Sequence, residues 1–254
     1  MAAALGSHPE IFVPRFKEAY HFGFVDDAAL GGARYEKFFS EWAGQSVVGE
    51  ATPEYLFRPQ SAEQISRYLP DVKAIVLLRN PVDRAYSAYW HGIRDGWIRG
   101  SFSRVVSAEL SGTRSAGRAY RDLAERGQYA EQLQRFLDYG FDRDRMLVLM
   151  FEEVLADQQS ALLEVEEFLG VEPVLTLFPK VNDARSTSLP RPVANAFARV
   201  WRNPMISRIT SLTDRPFTPP EMDPEVRARL IEHFRPWNQR LSELLGRDLP
   251  DWNR

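Results

Sequence analysis

The stretch AIVLLRNPVDRAYSAYWH, residues 74–91, joins the end of one structural element to the start of another. The run from Lys73 to Leu78 is almost wholly apolar, as is typical of a strand in a parallel sheet that is covered on both faces. Asn80-Pro81 then favours a helix start, because asparagine caps helices and proline fits their first turn. The stretch therefore predicts a buried strand that leads into a helix, with Arg79 at the junction.

Arg79 lies at the predicted carboxyl end of this strand, where open parallel sheets bind their ligands. Asp83 complements the dipole at the start of the helix. Apolar residues at spacings of four, three and four predict the buried stripe of the helix: Val82, Tyr86, Tyr89 and Ile93. Ser87 lies off that stripe, so a guanidinium and a hydroxyl could bind one anion beyond the sheet. Taken alone, the two residues are better explained by an arginine paired to a carboxylate and a serine without function.

The composition is that of an ordinary soluble enzyme. The chain has 254 residues, of which 44% are hydrophobic and 26% charged, and this suits one α/β domain or two small ones. A formal net charge of −3 argues against a general nucleic-acid-binding protein. Arginine outnumbers lysine 28 to 4, which suits planar recognition of phosphate or sulfate but is better explained by a GC-rich genome.

Several classes of site and location are disfavoured. The chain contains no cysteine, which removes disulfides and thiolate chemistry and fits a reducing compartment, so we expect a cytoplasmic location. The four histidines are scattered without the spacing of a metal site, so we expect no metal. No apolar run approaches the length of about 20 residues that a membrane span needs, so we expect no transmembrane segment.

The remaining chain alternates predicted strands with predicted helices. Strands are predicted at residues 11–13, 47–49 and 145–150, and helices near residues 120–139 and 160–169 and from Asp223 to Gly246. Thr52-Pro53 predicts another helix start, with Thr52 as its cap. Residues 181–192 are predicted to be a loop, and residues 94–117 form a polar stretch rich in Arg, Gly and Ser to which no helix or strand is assigned. The alternation predicts an α/β fold of three layers with a mainly parallel central sheet, in a single domain over residues 1–254.

Five segments resemble the sulfotransferases that use 3′-phosphoadenosine-5′-phosphosulfate (PAPS). LLRNPVDRAYSAYWH (residues 77–91) resembles the family's 3′-phosphate-binding segment, in which an arginine ends a strand and a serine follows eight residues later. HPEIFVPRFKEAYHF (8–22) and GEATPEYL (49–56) resemble two further segments of heparan sulfate sulfotransferases and their bacterial relatives. FLGV (168–171) and RPWNQRLSELLGRDLPDW (235–252) match the bacterial branch, so the resemblance covers nearly the whole chain.

The resemblance implies a role for several residues. Arg79 and Ser87 would bind the 3′-phosphate of PAPS, and Glu18 would be the base that acts on the acceptor. His21 and His91 are reserve candidates for the base. A second anion-binding loop would contain Asn182 and Arg185, although this loop aligns poorly and both residues could simply lie on the surface. The implied fold is the P-loop-like sulfotransferase fold.

The acceptor is not readable from the sequence. A sugar hydroxyl or amine is favoured by the resemblance, and lipids and small metabolites are also sulfated by bacterial relatives. Trp90 and Trp97 lie in or beside the region that would flank the acceptor. They could stack on a sugar or another flat ring, or they could belong to the core.

The start of the chain departs from the family pattern. Members begin with a strand and a Lys-x-Gly-Thr-Thr-type loop that binds the 5′-phosphosulfate, and neither is present. We therefore expect either that Met1 is an internal methionine or that the sequence is a fragment. The alternative function is a PAPS-binding relative without full catalysis. A kinase-like phosphotransferase is disfavoured, because GxxxxGK[ST] and an evident Mg²⁺-binding aspartate are lacking.

Overall fold

The computed structural model describes residues 1–27, 30, 33–113, 122–174, 185–187, 214–216 and 218–253. Its strands pair two by two. Strand β1 (Ile11–Phe12) runs parallel to β2 (Val47–Val48), and β3 (Ala74–Leu78) runs parallel to β4 (Met146–Met150). Strands β5 (Arg185–Thr187) and β6 (Asp214–Pro216) form an antiparallel pair.

Helices lie before, between and after these strands. They are α1 (Ala2–Leu5), α2 (Ala33–Phe38), α3 (Glu54–Phe57), α4 (Ser61–Tyr68), α5 (Pro81–Arg94), α6 (Phe102–Leu110), α7 (Tyr129–Asp138), α8 (Phe151–Ala156), α9 (Gln158–Leu169) and α10 (Pro224–Leu245). A short 3₁₀-helix, Glu125–Gly127, precedes α7. None of the helices in the described residues has the length and apolar character that crossing a membrane requires.

The β3–β4 pair is covered on both faces. Val76 and Leu78 face a cluster that also contains residues of α4, α7 and α10. Ile75 and Leu149 face a second cluster, which contains residues of α1, β1 and α9. Alternate residues of a strand point to opposite faces, so these two clusters place the β3–β4 pair between two helical layers. The predicted α/β fold with parallel strands between helices is thus confirmed.

A third cluster joins α5, α6 and α10 and supports the first of these helices. Val82 and Ala85 are fully buried in it, together with Phe234 of α10. Tyr89 is also buried, whereas Tyr86 and Ile93 are only partly so. The predicted stripe of α5 is therefore corrected. Its buried line includes Ala85 and Gly92, and the Ile98 side chain packs directly against Gly92.

The strand predictions at β1 to β4 and several helix ends are confirmed. Asn80 caps α5, since its Oδ1 accepts from the amides of Val82 at 2.9 Å and Asp83 at 3.4 Å. Asp223 caps α10 in the same way. Gly170 ends α9 at φ 78°, in the left-handed region that glycine enters at least cost. These ends are set by residues next to them in sequence, so local reasoning was sufficient.

One helix was not predicted and two predictions of secondary structure were wrong. The helix is α6, which lies in the polar stretch 94–117 and which Ser101 caps by accepting from the Arg104 amide. The helix predicted near residues 120–139 begins only at Tyr129, after the 3₁₀-helix. Within the loop predicted at 181–192, residues 185–187 form β5, because β6 supplies an antiparallel partner from a distant part of the chain.

The parallel strands do not form one continuous sheet within the described residues. Strands β2 and β3 each pair with a single neighbour. Val48 of β2 and Leu77 of β3 are both 40% exposed, although both are apolar strand residues. The prediction of a single domain over residues 1–254, and of a first strand absent from it, stays a prediction.

We expect Gly127→Ala to destabilise the fold by about 1–3 kcal/mol, the usual cost of overpacking a filled core. A Cβ at Gly127 would lie 2.6 Å from Phe234 Cε1 and 2.8 Å from Pro81 Cβ, and neither neighbour can easily move. Urea denaturation measures the change in the free energy of unfolding. Gly49→Ala is the control, since a Cβ there meets nothing within 4 Å. Equal stability of the two variants would contradict the prediction.

Candidate active site

Arg79 directly follows β3, and its side chain lies against the helix that follows β4. Its guanidinium carbon is 5.1 Å from the centre of the Phe151 ring, and Phe151 is the first residue of α8. Among the described residues, no carboxylate forms an ion pair with Arg79. The guanidinium is therefore held by an aromatic face while its hydrogen-bond donors are not used by a described carboxylate, which is an arrangement suited to binding an external anion.

Two hydrogen bonds with side chains from distant segments fix the backbone at Arg79 and Asn80. The Tyr129 hydroxyl donates to the Arg79 carbonyl oxygen at 2.9 Å. The Asn80 amide donates to Glu152 Oε1 at 2.8 Å. Arg84, one turn into α5, donates to the Leu123 carbonyl oxygen, and burial lowers the pKa of its guanidinium. Tyr129 and Glu152 were not identified from the sequence, since nothing local signals a contact between residues 50 or more positions apart.

Ser87 lies on the same strand–helix unit as Arg79. It is half-buried, six residues after the first residue of α5, or about 9 Å along the helix axis. No hydrogen-bond partner of its hydroxyl occurs among the described residues. Its neighbour on the preceding turn, Asp83, forms an ion pair with Arg227 of α10. The Ser87 hydroxyl is thus not engaged by any described residue, and Asp83 one turn earlier is already paired.

Glu18 lies in the segment that follows β1. Its side chain is 30% exposed, and its Oε2 accepts a hydrogen bond from the Tyr20 hydroxyl. Lys17 Nζ is 3.9 Å from Oε1, but the Lys17 side chain is 52% exposed, so this ion pair is weak. No hydrogen bond or ion pair in the described part of the chain joins Glu18 to Arg79 or Ser87. The three residues follow the carboxyl ends of two parallel strands that belong to different pairs.

The segment after β2 packs against the segment that contains Glu18. Thr52 Oγ1 accepts from the amide of Ala19 at 3.0 Å and from that of Tyr20 at 3.4 Å. The prediction that Thr52 caps a helix is therefore wrong. The first helical residue of α3 is Glu54, Pro53 occupies the cap position, and no side chain caps this helix. The Thr52 hydroxyl instead accepts hydrogen bonds from a segment distant in sequence, because the amides of residues 19 and 20 need an acceptor.

Glu50 is a largely buried carboxyl group in the same segment. Burial raises its pKa, although hydrogen bonds from Thr52, Tyr55 and the Ala19 amide act in the opposite direction. Its Oε2 accepts from Thr52 Oγ1 at 2.6 Å, while Oε1 has no partner among the described groups. Burial also raises the pKa of the neighbouring Tyr55. A buried carboxyl in contact with the segment of Glu18 was not identified from the sequence.

We expect Glu50→Gln to flatten part of the pH dependence of stability. The pKa of Glu50 is higher in the folded protein than its ordinary value of 4.5. The folded state therefore holds its proton more tightly, and this contribution to stability, full at pH 4.5 and below, is lost as the pH rises through the folded pKa. Glutamine cannot ionise, so the stability of the variant relative to wild type should rise with pH over that window. Urea denaturation between pH 4 and 8 measures the difference, and a constant difference would contradict the prediction.

The reserve candidates for the base are placed differently. His21 is 3% exposed, its Nε2 is 3.1 Å from the Leu30 carbonyl oxygen, and its ring stacks on Tyr35. These contacts indicate a structural role for His21. His91 is exposed on α5. Trp90 packs edge-on against Tyr89 and is partly buried beside the cluster of α5, whereas Trp97 is 56% exposed.

The loop predicted to bind a second anion is described only in part. Arg185 is the first residue of β5, and the position of its side chain lies outside what the structure describes. Asn182 lies outside the described residues altogether. Over the part of the chain that is described, no group of three or more His, Asp or Glu side chains could hold a metal ion.

This chain is similar to known proteins in both sequence and fold. A model of the sulfotransferase family matches residues 10–174, which include Glu18, Arg79 and Ser87. The crystal structure of a sulfotransferase from Alicyclobacillus acidocaldarius superimposes with a TM-score of 0.73 at 30% identity, covering 99% of this chain and 92% of that one. The fold and the sequence therefore agree with one family over most of the chain.

Curated human proteins are also similar. The heparan sulfate glucosamine 3-O-sulfotransferase 6 is 26% identical over 256 residues, which are 96% of this chain and 65% of that protein. The bifunctional heparan sulfate N-deacetylase/N-sulfotransferase 2 is 28% identical over 230 residues, which are 82% of this chain and 24% of that protein. This chain thus spans less than two thirds of the length of these curated relatives.

Proposed function

This chain belongs to the sulfotransferase family, and we propose that it transfers a sulfuryl group from PAPS to a hydroxyl or amine group of an acceptor. The observation that carries the proposal is the position of Arg79. The guanidinium stands at the carboxyl end of β3, without a carboxylate partner among the described residues, ahead of a capped helix that contains Ser87. This is the segment whose sequence resembles the 3′-phosphate-binding segment of the family.

The donor would be recognised by its 3′-phosphate. Arginine offers a planar set of donors that matches a phosphate dianion, and a serine hydroxyl adds one more hydrogen bond. We propose that Arg79 and Ser87 bind this phosphate together. The contact of Arg79 with Phe151 supports the assignment, since it restrains a long side chain before the ligand arrives and so lowers the entropic cost of binding. Arg185 is proposed as a further contact to the nucleotide.

The acceptor would be activated by Glu18. Sulfuryl transfer resembles phosphoryl transfer, in which an entering nucleophile and a leaving phosphate oxygen lie roughly in line. A base within hydrogen-bond reach removes the proton of the attacking hydroxyl or amine. Glu18 is partly exposed and follows the carboxyl end of β1, which supports its assignment as this base.

We propose a wider range of acceptors for this chain than the names of its relatives specify. The names of the human relatives specify heparan sulfate. For this chain we propose a glycan, a lipid or a small metabolite. We propose that Trp97, which is 56% exposed, stacks on a sugar or another flat ring of the acceptor. The cytoplasmic location expected from the sequence stays a prediction.

The test is a PAPS-dependent acceptor screen with the native full-length protein. Glycan, lipid and phenolic acceptors are supplied in turn, and formation of 3′-phosphoadenosine-5′-phosphate is followed together with the sulfated product. Acceptor-dependent formation of both is the expected result. Tight binding of PAPS without turnover on any acceptor would favour the binding-only alternative. Preference for ATP over PAPS would overturn the proposal in favour of a phosphotransferase.

A further inference from the structure

The backbone beside Glu18 adopts a conformation that its residue type disfavours. Among the described residues other than glycine, Tyr20 alone has a positive φ, at 48°. A left-handed backbone brings the Cβ of an L-residue close to the following carbonyl oxygen, so a bulky residue rarely adopts it. Such conformations persist only where surrounding contacts hold them, and they concentrate at functional sites.

Side chains of the segment after β2 supply those contacts. Three consecutive amides, of residues 19 to 21, donate to this segment. Thr52 Oγ1 accepts from Ala19 at 3.0 Å and from Tyr20 at 3.4 Å, and the Tyr55 hydroxyl accepts from His21 at 3.1 Å. The conformation of Tyr20 is therefore fixed by groups more than 30 positions away in sequence.

The orientation of the Thr52 hydroxyl is fixed in turn. A hydroxyl has one hydrogen to donate and two lone pairs that accept. Thr52 donates its hydrogen to Glu50 Oε2 at 2.6 Å, which leaves both lone pairs for the amides of Ala19 and Tyr20. Thr52 is 7% exposed, so water does not compete strongly for these positions. The whole hydrogen-bonding capacity of Thr52 serves to hold this segment.

The held conformation directs the Tyr20 side chain onto Glu18. The angle φ is the rotation about the N–Cα bond, so it sets the direction of Cβ relative to the residues that precede it. With φ at 48°, the Tyr20 hydroxyl donates to Glu18 Oε2. We infer that Thr52 and Tyr20 are positioning residues for Glu18: Thr52 fixes the backbone of Tyr20, and the Tyr20 hydroxyl fixes the carboxylate. The inference rests on the proposed role of Glu18 as the base.

The hydrogen bond from Tyr20 orients the Glu18 carboxylate for the reaction. A glutamate side chain has three rotatable bonds, and a partly exposed one samples many directions. The bond from Tyr20 occupies Oε2 and leaves Oε1 to face the acceptor. Lys17 is the other charged group near Oε1, and because it is largely exposed, water and salt screen it. A base that is already oriented avoids an ordering cost at the moment of reaction.

The test measures kcat and the KM for PAPS in the native full-length protein. We expect Tyr20→Phe to lower kcat about 10-fold, the effect of losing one hydrogen bond to a charged group. We expect Thr52→Val to lower kcat about 10- to 100-fold, as for a small misplacement of a reacting group, and Thr52→Ser to restore it. The KM for PAPS should stay unchanged. In a Glu18→Gln background neither substitution should lower kcat further, because both act through the Glu18 carboxylate.

A matched control is Tyr139→Phe. The Tyr139 hydroxyl donates to Glu63 Oε2 at 3.3 Å between α7 and α4, away from Glu18, so this variant should keep full activity. Equal losses of kcat in the wild-type and Glu18→Gln backgrounds would show a merely structural role and overturn the inference alone. So would full activity of Tyr20→Phe and Thr52→Val. Full activity of Glu18→Gln itself would overturn the assignment of the base, and the inference with it.

Discussion

Arg79→Ala is expected to weaken the binding of 3′-phosphoadenosine-5′-phosphate about 10- to 100-fold. A hydrogen bond to a charged group contributes about 1.5–3 kcal/mol, and each 1.4 kcal/mol corresponds to about a tenfold change in affinity. The guanidinium has no described carboxylate partner that would be left unpaired by the substitution. The loss should therefore report the contact to the ligand rather than damage to the fold. Isothermal titration calorimetry at fixed ionic strength measures the dissociation constant.

The ligand itself provides a sharp control for this prediction. Adenosine 5′-phosphate lacks the 3′-phosphate, so its binding should be almost the same in wild type and in Arg79→Ala. Arg235→Ala is the matched protein control, since Arg235 is 59% exposed on α10 and pairs only with Glu232 in the described part of the chain. If Arg79→Ala weakens both nucleotides equally, the arginine does not recognise the 3′-phosphate and the assignment is wrong.

Ser87→Ala provides the complementary measurement. A single neutral hydroxyl contributes less than a guanidinium, so a loss of about 3- to 10-fold is expected. If both side chains bind one phosphate, the double variant should lose less than the sum of the two single losses, because each contact depends on the other for its geometry. Strict additivity would indicate that Arg79 and Ser87 act at separate places.

The unit that carries these two residues could be predicted from the sequence because its signals are local. An apolar run of five residues specifies β3, and Asn80-Pro81 specifies where α5 begins. The position of Arg79 at the carboxyl end of β3 follows from those two signals alone. Helix α6 carried local signals of the same kind, a Ser101 cap ahead of Phe102 and Val106. It was missed because its polar surroundings resemble a loop.

The contacts that hold the site could not be predicted in this way. Thr52 carries the local signal of a helix cap, yet its hydroxyl accepts amides from the segment after β1. Glu152 binds the Asn80 amide only because β4 lies next to β3, and no periodicity encodes that neighbourhood. The left-handed backbone of Tyr20 has no sequence signal at all, since glycine or asparagine would have been expected there. Such features arise from the pairing of distant segments.

Glu18→Gln is expected to lower kcat about 10²- to 10⁴-fold, the usual contribution of general base catalysis. Glutamine has nearly the same shape, and its carbonyl oxygen can still accept from the Tyr20 hydroxyl, so the segment should keep its conformation. What it loses is the capacity to take a proton. The substitution lies in the segment after β1, whereas the proposed phosphate contacts follow β3, so the dissociation constant of 3′-phosphoadenosine-5′-phosphate should stay at the wild-type value.

This prediction is decisive because it separates the binding of the nucleotide from the rate of turnover. Loss of donor affinity together with kcat would mean that Glu18 supports the nucleotide site. Unchanged kcat would mean that another group, or the solvent, takes the proton. Glu232→Gln, at a carboxylate 71% exposed on α10, controls for the change of charge. Because the need for a base falls once the acceptor is ionised, the deficit of Glu18→Gln should shrink as the pH approaches the pKa of a phenolic acceptor, about 10 for a tyrosine-like phenol, whereas a structural defect would persist at every pH.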